Sequence, residues 1–64
     1  MEKYYETLRY SRISQGIKQS EVAERAGCSQ AMVSKVESGI LPPSMEMLEK
    51  ISAVMGLKVR IVLE

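Results

Sequence analysis

Sixty-four residues, 45% hydrophobic and with a net charge of +1, make one small domain near the lower limit at which a single core folds unaided, so stabilisation by a second copy of the chain is expected. The near balance of nine Lys plus Arg against eight acids excludes a protein that coats nucleic acid indiscriminately. With no His and a single Cys, the chain lacks the material for most metal sites, for a His-based triad and for CxxC redox chemistry, so no enzymatic activity, metal or cofactor is expected.

The opening segment MEKYYETLRYSR is charged and amphipathic, without the apolar run of a secretory leader or a membrane span, which points to a cytoplasmic protein with no membrane partner. Residues 2–15 read as a helix, with Tyr5, Leu8 and Arg12 at i, i+3 and i+7 on the inward face and Gly16 as its stop. A second helix, SEVAERA, opens at Gln19 or Ser20; Val22, Ala23 and Ala26 form its apolar stripe, and Glu21 with Arg25 makes a surface i, i+4 pair. Gly27 follows where a left-handed C′ residue is wanted, and the Ser29 hydroxyl can cap the next helix. Two short helices joined by three or four residues have helix-turn-helix spacing.

In the third helix Val33 and Val36 face the core. Stepping about 100° per residue from Val33 puts Ala31, Ser34, Lys35 and Ser38 on the far side, with Gln30 projecting from the first turn. Gly39 ends this helix, ILPPS is a rigid connector, and Ser44 starts a fourth helix with Met47, Leu48, Ile51, Val54 and Met55 as its apolar stripe. After Gly56 the period changes: Leu57, Val59, Ile61 and Leu63 alternate with Lys58, Arg60, Val62 and Glu64, the pattern of a strand.

The run QGIKQSEVAERAGCSQAMVSKVESG, followed by PS and LEKISAVMGL, resembles the Xre and phage-repressor family of helix-turn-helix proteins. Gln19, Ala23, Gly27, Ser29, Val33, Glu37, Gly39, Pro43, Ser44 and Gly56 carry the likeness, over roughly residues 8–57. The resemblance implies a mostly α fold: a four-helix repressor-like helix-turn-helix domain at residues 1–56, and one C-terminal β-strand at 57–64 that pairs across a homodimer. In that strand Leu57, Val59, Ile61 and Leu63 would face the fourth helices, as in short antitoxin-like members.

The resemblance also makes the third helix a recognition helix for double-stranded DNA. Gln30 would pair with adenine, Lys35 donate to guanine, Ala31 touch a thymine methyl and Ser34 donate or accept. Arg12, Lys18, Gln19, Ser29 and Ser38 would contact phosphate, with Gln19 at a helix N-terminus suited to an anion. By the same likeness Arg12 pairs with Glu37 and ties the first helix to the third. Read without the family, Gln30, Ser34 and Lys35 are equally an ordinary solvated face, and Arg12 and Glu37 an incidental pair.

Two features depart from the family. Ile40 and Leu41 stand where basic residues are often found, which weakens phosphate binding and offers an apolar contact instead. The tail strand replaces a fifth helix. The function expected is a sequence-specific transcriptional regulator, a repressor on a palindromic operator. The alternative is an antitoxin that neutralises a protein toxin and regulates its own operon. Cys28 is expected to pack rather than to sense redox state, and no small-molecule ligand is indicated.

Overall fold

The computed structural model describes residues 3–60, 62 and 63. Four helices follow in order: α1 (Tyr4–Ser14), α2 (Gln19–Ala26), α3 (Gln30–Glu37) and α4 (Met45–Val54). The first was expected over residues 2–15; Glu2 lies outside the described residues, and at the other end Gln15 is the C-cap. Among the described residues no helix is long and apolar enough to cross a membrane.

The core is assembled from the inward stripes read in the sequence. Leu8 of α1, Val22, Ala23 and Ala26 of α2, Val33 and Val36 of α3, and Ile51 with Met55 from α4 and its cap are all buried. Val22, Val33, Val36 and Ile51 are wholly so, each stabilising the fold by roughly 1.5–3 kcal/mol relative to exposure. α2 packs on both α3 and α4, and α1 closes over α3. Ile17, Cys28, Met32, Met47, Leu48, Val54 and Leu57 are partly buried around this centre, so Cys28 fills space against the core.

Local chemistry sets the turn that holds α2 and α3 together. Gly27 adopts φ 75°, a left-handed conformation that a Cβ disfavours, and the Cys28 amide then donates to the Ala23 carbonyl at 2.9 Å. Extended backbone at Ser29 follows, and its Oγ accepts from the Met32 amide at 3.1 Å. Ser44 caps α4 in the same way, through the Met47 amide at 3.1 Å. α2 has no such side-chain cap, because its N-cap residue is Lys18. The surface pair of Glu21 and Arg25 forms at 3.7 Å with both side chains over half exposed, a geometry that contributes little.

Two features of the packing are not visible as patterns in the sequence. The Gln15 side-chain amide donates to the Met55 carbonyl at 3.0 Å, fastening the end of α1 to the end of α4. Ser52, absent from the expected stripe of α4, is buried beside Ile51.

Among the described residues there is no β-strand, and Ile61 and Glu64 of the expected C-terminal strand lie outside them. A strand exists as a member of a ladder, and each regular element among the described residues is a helix, whose interior backbone bonds to itself and offers no edge. The alternation itself survives as far as Arg60. Leu57 and Val59 are half-buried while Lys58 and Arg60 are exposed. Beyond it Leu63 is 92% exposed, and Ile61 lies outside the described residues.

Candidate functional site

The outward face of α3 consists of Gln30, Ala31, Ser34 and Lys35, all exposed, on the side opposite the buried Val33 and Val36. An eight-residue helix held at one end by Gly27 and Ser29 and at the other by Ser38 and Gly39 presents these side chains as a rigid set. None of them is large and apolar. Among the described residues Lys35 has no carboxylate within salt-bridge distance, so its ammonium is available to a ligand.

Beneath this face lies the carboxylate of Glu37, 3% exposed. Its Oε2 accepts from Arg12 Nε at 2.7 Å and its Oε1 from Gln19 Nε2 at 3.2 Å, so one acid joins α1, α2 and α3. Arg12 Nη1 also donates to the Ile17 carbonyl at 2.9 Å. A buried charge without partners is costly, and here both oxygens are satisfied by donors from different helices.

This network defines what each residue expected to meet phosphate can still offer. The Arg12 side chain is only 13% exposed, its charge is matched by Glu37, and Nε and Nη1 are engaged. Gln19 keeps the second N–H of its amide, and among the described residues the Gln19 and Ser20 main-chain amides at the start of α2 find no backbone acceptor. Lys18 is exposed immediately before them. Ser29 accepts through Oγ when it caps α3, which leaves its hydroxyl proton to give. Ser38 is the reverse case: its Oγ donates back to the Ser34 carbonyl at 2.8 Å, with the Lys35 carbonyl at 3.3 Å, so it presents lone pairs outward.

Lys18, Gln19, Ser29 and the α3 face are thus held in one helix pair, to which Arg12 joins α1 through Glu37. Nothing local in the sequence points to the Gln19–Glu37 bond. A retrospective signal exists for the burial of Glu37, which lies next to Val36 and four residues after Val33, on the inward flank of the helix where a carboxylate must have partners.

Past the end of α3, Ile40 is 74% exposed and Leu41 half-buried. Among the described residues no three acidic or Cys side chains are grouped so as to hold a metal ion.

The family model that the chain matches is that of the helix-turn-helix, over residues 8–62. No curated protein and no solved structure is matched by the chain. The match takes in all of α2, the turn, α3 and α4, with the glycine, caps and buried acid that the geometry above explains. The chain belongs to the helix-turn-helix family of Xre and phage-repressor type and is a DNA-binding regulator.

Proposed function

We propose that the protein is a repressor that binds a palindromic operator as a homodimer, with α3 in the major groove. The observation that supports this most is the exposed set Gln30, Ala31, Ser34 and Lys35, small or hydrogen-bonding throughout and free of acid, next to the open N-terminus of α2. An amide, a hydroxyl and an ammonium at this spacing match the donors and acceptors of base edges, while small side chains permit close approach. Lys18, Gln19 and Ser29 would meet the phosphates that flank those bases and fix the register.

The experiment is binding-site selection with the wild-type protein and with Lys35→Ala. The variant is expected to lose roughly 1–3 kcal/mol on the selected site and to relax preference at one base pair in each half-site. An unchanged preferred sequence would remove Lys35 from the reading surface.

The homodimer in this reading is made by the tail. Leu57 and Val59 are half-buried already, and further along the same alternation the apolar side chain of Leu63 is exposed. Antiparallel pairing of two tails about a two-fold axis would satisfy the backbone of 57–64 and cover the apolar side chains. It would also set two α3 helices for successive major grooves, about 34 Å apart. Sedimentation of the full chain and of a chain stopped after Gly56 tests this: a dimer is expected to become a monomer that has lost operator binding. A stopped chain that still dimerises would refute the tail's role.

A further inference from the structure

The charge of the Arg12 guanidinium is matched by Glu37 within the fold, and α1 carries a second arginine. Arg9 is exposed, and it lines a concavity of about 330 Å³ together with Gln19, Ser34, Glu37 and Ser38. These residues belong to α1, α2, α3 and the cap of α3, so the concavity lies where the proposed interface crosses from α3 to the first helix.

We propose that Arg9 is a phosphate-binding residue, completing with Gln19 a subsite for one phosphodiester of the DNA backbone; this rests on the function proposed above. The acid in this concavity does not oppose the role. Glu37 is 3% exposed and already holds Arg12 and Gln19 through its two oxygens. Among the described residues no carboxylate, Glu6 included, lies within 4.0 Å of the Arg9 side-chain nitrogens. Arg9 therefore carries the uncompensated charge that Arg12 lacks, and only an uncompensated cation displaces the counterions condensed on DNA.

Its chemistry suits the neighbourhood. A guanidinium gives two parallel N–H donors to a phosphate, and Gln19 on the adjacent helix, which lines the same concavity, has a second amide N–H not used by Glu37. Ser34, a member of the base-reading face, also borders the concavity, so the subsite adjoins that face. Among the described residues that line the concavity Arg9 is the one cation, which fits a phosphate monoanion better than a doubly charged ligand.

The test compares wild type, Arg9→Gln and Arg9→Lys on the selected operator at several salt concentrations. For Arg9→Gln the slope of log affinity against log salt is expected to be shallower by about 0.9 per bound chain, with the preferred sequence unchanged. That slope difference shrinks the wild-type advantage roughly threefold per chain between 50 and 200 mM salt. Arg9→Lys should keep the slope and lose part of the affinity, because its point charge replaces a fork. Because the side chain is exposed, the thermal unfolding midpoint of each variant should stay at the wild-type value. If wild type binds its operator and Arg9→Gln matches it in affinity and slope, the assignment of Arg9 is overturned and the function stands. A changed base preference in Arg9→Gln would equally overturn the phosphate role. Wild type with no specific site would overturn the function, and this subsite with it.

Discussion

Replacing Glu37 by Ala is expected to destabilise the protein by roughly 3–5 kcal/mol, a large part of the total stability that so short a domain has. The side chain removed is 2% exposed and is bonded to both Arg12 and Gln19. What remains is a guanidinium at 13% exposure with its ion partner gone, together with an unsatisfied amide donor on α2. Most of the loss is the cost of the stranded charge rather than the net worth of the pair. The double substitution Arg12→Met, Glu37→Leu should therefore recover much of the loss, since it removes both charges and retains volume. A double-mutant cycle on Arg12→Ala and Glu37→Ala, followed by urea unfolding, measures the coupling directly. A coupling near zero would mean that the two side chains do not support each other in solution.

The residues of this network show where sequence legibility ends. The helices, the caps at Ser29 and Ser44 and the turn at Gly27 follow from interactions between residues a few positions apart, and the sequence carries those in plain order. The buried stripe of α2 and the two valines of α3 are likewise fixed by helical period. Glu37 is a mixed case: period puts it near the core, but the choice of Arg12, 25 residues away, came only through the family resemblance. Gln19 was read as a residue that would face phosphate, and its bond to Glu37 depends on the angle at which α2 meets α3. No local pattern encodes that angle. Gln15 on the Met55 carbonyl and Tyr5 beside Gly39 are of the same kind, contacts between ends of elements decided by packing as a whole. For the tail the limit differs. Alternation describes a segment suited to a ladder, whereas a ladder requires a second edge, which a single chain read alone does not supply.

Tyr5 and Gly39 give the other large expected effect. Gly39→Ala should cost roughly 2–4 kcal/mol, from two separable causes. The first is conformational: Gly39 sits at φ 77°, where an L-residue with a Cβ loses about 1–2 kcal/mol. The second is steric, because a Cβ at this position would lie 2.7 Å from Cζ and 2.8 Å from Cε1 of Tyr5. The ring is not free to swing aside at no cost. Tyr4 packs edge-on against it at 5.5 Å between centroids, and the Lys3 ammonium lies 5.7 Å from its centre on the same end of α1. Displacing it loosens the seat of α1 on the end of α3, beside Ser38 and the α3 face. Gly27→Ala is the internal control, since Gly27 has nearly the same φ, 75°, and among the described residues other than its two chain neighbours no heavy atom lies within 4 Å of the added carbon. Both substitutions gain the same small benefit from a less flexible unfolded chain, so their difference isolates the ring contact. Unfolding in urea should rank Gly39→Ala clearly below Gly27→Ala, and adding Tyr5→Ala should bring the Gly39→Ala penalty down to that of Gly27→Ala. Equal losses in the two single variants would show that the aromatic ring yields freely, and that the glycine is required at this position for its backbone alone.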